Sequence, residues 1–255
     1  MTSLWISIFA AVIVFAGGVA GLYLQRLLPQ PHVEQSRGMI GAVVGLITLL
    51  LALVLGTIVG SSYGFYATQK AELESLATRY LQMDLALAEY GPETKDFRAK
   101  IKAGLSGAHR LFWGKGNAVD SNPDALNVSA ALPGLQATDE YLASLNPQTP
   151  VQRQALTSAS INASWAQNIR IGMSLQLASP TSWPLLVIVV AWSVLLFCGF
   201  GFLSPTNVTT VTALALGAFA VASAVFLILE LSQPFTGLFR IPPGALEQTI
   251  AALDR

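Results

Sequence analysis

Residues 183–229 read WPLLVIVVAWSVLLFCGFGFLSPTNVTTVTALALGAFAVASAVFLIL, without one Asp, Glu, Lys, Arg or His. The charge-free run begins still earlier, at Ile171. A surface facing water is solvated by charged side chains, so an uncharged stretch of this length belongs in lipid. A bilayer core takes about 20 apolar residues per helix, and the run divides at Ser204-Pro205-Thr206-Asn207 into two pieces of that size, 183–203 and 208–229. Both are continuously apolar, whereas outer-membrane strands alternate apolar and polar residues. A helix also satisfies its own backbone polar groups in lipid.

The N-terminal part repeats the pattern. Residues 4–24 and 39–60 are uncharged and apolar, separated by a polar link holding Arg26, Pro29, Pro31, Glu34 and Arg37. The first run reads as a span rather than a cleaved signal peptide, because residues 1–7 carry no Lys or Arg and the apolar stretch exceeds the usual h-region of roughly 7–15 residues. Charged residues make up 11% of the chain, against about 25% in ordinary soluble proteins, which agrees with a membrane class. Basic and acidic side chains number 14 each, so the electrostatic footprint of a nucleic-acid binder is missing. Cys198, the single cysteine, lies in an apolar run without a disulfide partner, and nothing points to an oxidising compartment.

Only residues 63–182 can build a fold in water. Leu73, Leu76, Tyr80, Met83, Leu87 and Tyr90 recur at steps of three and four, one apolar face of a helix over 66–90 that ends at Gly91-Pro92. Lys70 and Glu74 sit four apart on its other side. With only Gly60 and Gly64 between, this helix can run straight out of the second span. A further helix is expected over 93–113, with Phe97, Ile101, Leu105, Ala108 and Phe112 inward. A loop follows over 114–133, rich in Gly, Asn, Asp, Ser and Pro, then a short helix over 135–145. The last helix starts with Thr149 as N-cap and Pro150 at its first position and extends to about residue 177. The expected class is an all-α membrane protein: four transmembrane helices in two hairpins with an inserted helical extramembrane domain. The expected divisions are 1–65 for the first hairpin, 66–180 for the polar domain, 183–231 for the second hairpin and 232–255 for a tail on the domain side.

Four spans place both termini and the polar domain on one side of the membrane. Lys70, Arg79, Arg170, Arg240 and Arg255 lie on that side, against Arg26 and Arg37 in the link, which favours a cytoplasmic domain. The first helix argues the other way, since its start carries no basic residue and the link carries two.

No catalytic signature is present: no G-x-S-x-G, H-E-x-x-H, C-x-x-C or Walker A loop, and the histidines are His32 and His109. The expectation is a protein that is not an enzyme and needs no cofactor or metal. His109 and Trp113, four apart, suit a ligand-and-stack pair or, more simply, a half-exposed histidine beside a packed tryptophan. Gly17 with Gly21, Gly41 with Gly45, and Gly56 with Gly60 have the spacing that lets helix backbones approach, within the chain or between subunits. Thr57, Ser61 and Ser62 are candidates for an aqueous path; the plainer role for such hydroxyls is a bond to the carbonyl four residues back. Glu230 follows an uninterrupted apolar helix, where a carboxylate favours a partner. Pro234 and Gly237 then break the helix and can turn Arg240 back, so Glu230, Gln233 and Arg240 are candidates for a gate or mouth. A simple helix exit with interfacial anchors is the alternative.

Residues 226–241, FLILELSQPFTGLFRI, with Leu246 beyond, closely resemble the C-terminal signature of the bacterial bestrophin-like domain family of unknown function. The helix through Lys70, Glu72, Glu74, Tyr80, Leu81 and Asp84 is similar to that family's other marked segment. The resemblance implies, through bestrophins, a pentameric anion channel with four spans per subunit, a cytosolic helical part and a pore lined by the second helix. The chain lacks the Arg-Phe-Pro type motif of true bestrophins and an aromatic neck on the second helix. The expectation is an oligomeric channel for small anions in a bacterial inner membrane, with lipid, ions and further copies of itself as partners. The alternative, from another class, is a membrane-anchored interaction or sensory module that docks a protein through the stripe of residues 66–90.

Overall fold

The computed structural model describes residues 2–114, 128–178 and 183–253. All regular structure among them is helical: α1 (Thr2–Leu27), α2 (Gln30–Tyr90), a 3-10 turn (Pro92–Thr94), α3 (Lys95–Trp113), α4 (Val128–Ser144), α5 (Pro150–Ala178), α6 (Trp183–Leu203), α7 (Val208–Leu231) and α8 (Gly244–Ala252). Four of these, α1, α2, α6 and α7, are long and apolar enough to cross a bilayer. The chain is thus an all-α membrane protein. It divides into two compact units, Met1–Tyr66 with Thr181–Gln233, and Ala67–Pro180 with Pro234–Arg255.

The first unit is built on α1, which packs on α6 and α7. Lipid tails are as apolar as leucine, so helices in a bilayer associate through close packing rather than by escaping water. The glycines of α1 make that packing possible. A Cβ on Gly21 would run into the Cys198 carbonyl of α6, and one on Gly17 would stand 2.9 Å from the Val194 carbonyl. From the other side, a Cβ on Gly201 would strike the Gly18 carbonyl. Val14, Val189, Leu196 and Leu214 fill the interior around these crossings. Outside, Trp5, Phe9, Val187 and Phe219 are exposed while Ser3, Ser7 and Ser193 are buried. That is the inverse of a water-soluble bundle and fits lipid as solvent.

The turn between α6 and α7 falls at the expected Ser-Pro-Thr-Asn. Asn207 is the N-cap of α7, its side chain accepting from the Thr210 N–H at 2.7 Å. The link between the first two spans is shorter than the sequence suggests. Only Leu28 and Pro29 lie outside helices, and the residues from Gln30 to Gly38 are already the first turns of α2. Pro31 is tolerated there because the first helical N–H groups lack intrahelical partners. Arg37 donates to the Leu203 carbonyl at 2.7 Å, meeting the C-terminal end of α6 with a cation.

In the second unit the stripe of α2 is interior: Leu73, Met83, Leu87 and Tyr90 are buried. Ala155, Ala159, Ala163 and Ala166 repeat every three or four residues on the buried side of α5, and Met83, Leu87, Phe97, Leu142, Ala159 and Ala163 share one core. Phe97 of α3 stacks on Tyr141 of α4 at 3.9 Å. Gly91 ends α2 with φ 146, a backbone region that is essentially glycine's, and buried Thr94 donates to the Leu87 and Gly91 carbonyls. Buried Asp84 accepts two bonds from Arg98, at 2.8 and 2.7 Å, and these hold the guanidinium above its ordinary pKa. The expected loop over 114–133 gives way to α4 from Val128 onward, with Pro133 inside the helix. As the sixth residue of this helix, Pro133 cannot make the i→i−4 hydrogen bond of its position. Residues 115–127 lie outside the described residues. α5 begins as expected, Thr149 Oγ1 accepting from the Gln152 N–H at 3.1 Å.

Gly21→Leu forces a side chain into backbone and should cost at least about 1–3 kcal/mol, whereas Gly45→Leu, where a Cβ meets nothing within 4 Å, should leave the subunit's fold intact. Thermal unfolding in detergent, followed by circular dichroism, separates the two. Arg98→Met leaves Asp84 buried without its partner and should cost about 3 kcal/mol in the same assay, with Asp84→Asn milder.

Candidate functional site

Of the four spans, α2 is the least covered. In its apolar stretch 11% of residues are buried, against 28%, 39% and 33% in α1, α6 and α7. Ile40, Val44, Ile47, Leu51, Leu55 and Ile58 recur at steps of three and four and pack on the first unit's core. Gly45, Gly56 and Gly60 fall on other sides of the helix, with Gly41 at the border of the packed face. A Cβ on any of these four glycines meets nothing within 4 Å. Leu49 and Leu53 on this side are 71% and 69% exposed.

Thr57 and Ser61 are exposed along this uncovered part of α2. Thr57 Oγ1 donates to the Leu53 carbonyl at 2.8 Å. Ser62 stands apart from them, buried in the subunit's own interior.

Glu230 is buried near the end of α7, and a polar group in such a place needs hydrogen-bond partners. One is Ser3 of α1, whose hydroxyl donates to Glu230 Oε1. The adjacent Ser7 hydroxyl donates to the Ser3 carbonyl at 2.8 Å. Sequence reasoning singled out Glu230, but nothing local marks a serine 227 positions upstream as one of its partners. Gln233 is exposed at the end of the first unit, its N–H donating to the Glu230 carbonyl at 3.1 Å.

Pro234, Gly237 and Arg240 belong to the second unit. Buried Pro234 starts a tight loop that Gly237 turns with φ 77, and the Ile241 N–H closes it on the Pro234 carbonyl at 2.9 Å. Arg240 is half-buried within it. Phe235 packs on Phe112 and Trp113 of α3, and the Trp113 indole N–H donates to the Ile241 carbonyl at 2.8 Å. His109 stacks on Trp113 and meets Glu247 of α8 at 3.1 Å. The helix α8 was not anticipated; its start at Pro242-Pro243-Gly244 reads as plain loop. The histidine and tryptophan thus hold the C-terminal segment.

Ser3→Ala removes a donor from a buried carboxyl and should lower stability by about 1–3 kcal/mol. The exposed Ser223→Ala, which loses only a bond to its own helix, should stay within about 0.5 kcal/mol. Thermal unfolding of the two variants side by side is the measurement.

The family model described as Bestrophin-like domain matches residues 10–246. No curated protein matches the chain, and no solved structure does.

Proposed function

We propose, because this chain belongs to the bestrophin-like domain family, that it assembles with copies of itself into a membrane channel for small anions, with α2 lining the path. The observation that carries this reading is the uncovered side of α2. A span packed on one face only, with small residues and hydroxyls on the remainder, suits a ring in which that side faces an axis and neighbouring subunits. Five subunits follow from the likeness to bestrophins. Thr57 and Ser61 are the path-lining residues of this reading, and Glu230 and Gln233, at and just beyond the end of α7, are its candidates for a gate or mouth. The membrane is a bacterial inner membrane, with termini and polar unit on the cytoplasmic side, where Lys70, Arg79, Arg170 and Arg240 outnumber Arg26 and Arg37 of the link.

A docking module is the weaker reading. Its support was the apolar stripe of α2 beyond Tyr66, and Leu73, Met83, Leu87 and Tyr90 of that stripe are buried within the chain's own second unit. They are unavailable to a partner.

Two measurements on the purified full chain test the channel. Its mass in detergent should be a fixed multiple of 27.0 kDa, and liposomes containing it should pass chloride faster than empty ones. Thr57→Phe should reduce that flux while leaving the mass unchanged. A monomer returns the argument to the docking module, and a well-folded oligomer that passes no ions removes the channel.

A further inference from the structure

The loop between α7 and α8 sorts its apolar residues in two directions. Phe235 and Ile241, near its base, are buried in the second unit, whereas Leu238 at its tip is 77% exposed and Phe239 beside it 43%. The base is firmly held: Phe235 packs on Phe112 and Trp113, the Trp113 indole N–H donates to the Ile241 carbonyl, and the Ile241 N–H closes the loop on the Pro234 carbonyl. Gly237, with φ 77, reverses the chain just before Leu238. A turn facing water is ordinarily built from Gly, Pro, Asn, Asp or Ser. Two adjacent large apolar side chains at its tip ask for a cover.

We propose that Leu238 and Phe239 insert into the lipid headgroup region, so that the loop is an interfacial anchor for the C-terminal segment. Lipid is the partner because of where the loop lies in the chain. α7, long and apolar enough to cross a bilayer, ends at Leu231, and Pro234 follows three residues later, at most about 11 Å of extended chain away. The loop therefore starts beside the end of a span. Its charge agrees: from Leu231 to Leu246 there is no Asp or Glu, and the single charged residue is Arg240, so an anionic bilayer surface attracts this segment. Leucine and phenylalanine are among the side chains that interfacial segments turn toward the acyl boundary. With the base fixed on Trp113, the tip is presented with little further ordering cost. The proposal needs only the membrane class of the chain and is independent of whether it conducts ions.

The test uses the full chain, with Cys198→Ala removing its single native thiol, in liposomes of phosphatidylethanolamine and phosphatidylglycerol. A nitroxide at Leu238→Cys is compared with one at Thr157→Cys, exposed on α5 of the second unit, and one at Leu216→Cys, exposed on the apolar span α7. Relaxation by oxygen, which dissolves in lipid, and by a nickel chelate, which stays in water, reports where each label sits. The oxygen-to-nickel ratio at Leu238 should fall between the two controls and at least about threefold above Thr157, as for a group roughly 5–10 Å into the headgroup boundary. Phe239→Cys repeats the reading from the neighbouring position. A ratio at Leu238 equal to that at Thr157 would put the tip in water, and low access to both reagents would put it under protein, such as a second copy. Either result overturns the proposal.

Discussion

The crossing of α1 on α6 is the constraint on which the membrane unit depends. In lipid no hydrophobic driving force pulls leucines together, and cohesion comes from backbone-to-backbone contact over small residues. Gly17, Gly18 and Gly21 on one side and Gly201 on the other remove the side chains that would hold the helices apart. Once α1 is seated, its serines face inward, and Ser3 reaches Glu230 at the end of α7. The packing of one helix pair therefore supplies a hydrogen-bond donor for a buried carboxyl on a third helix.

The second span is left on the margin of that arrangement, and its margin is chemically distinct. Where α1 spends its glycines on the chain's own interior, α2 keeps Gly45, Gly56 and Gly60 uncovered. The same helix continues without a break to Tyr90, and from Leu73 onward its apolar stripe is buried in the core of the second unit. Along one helix the pattern thus changes from apolar throughout to a single apolar stripe.

The spans were legible because charge is absent from them, and the turn before α7 because Asn207 is a strong cap. Other features were hidden for identifiable reasons. Glu34 and Arg37 made the segment before the second span look like a link, yet polar side chains are no obstacle to a helix that has left the lipid. The glycine pairs at 17 and 21 and at 41 and 45 have identical spacing; only packing shows that the first pair meets α6 and that a Cβ on either glycine of the second meets nothing within 4 Å among the described residues. The bond between Ser3 and Glu230 joins the two ends of the chain, and no local pattern encodes it. His109 and Trp113 were visible as a stacked pair, but their attachment to Glu247 and Ile241 required the tail to be in place.

That tail has a consequence for how the protein is made. The second unit draws its interior from residues before the last two spans and from residues after them, since Phe235, Ile241 and Leu246 are buried in the segment that follows α7. A ribosome delivers the later residues only after both of those spans. Until both C-terminal spans have been synthesised, Phe112 and Trp113 lack Phe235, and the nascent chain carries a bare aromatic surface of the kind that chaperones and aggregation compete for. Synthesis of the segment after α7, rather than insertion of the spans alone, is therefore what lets the second unit finish folding.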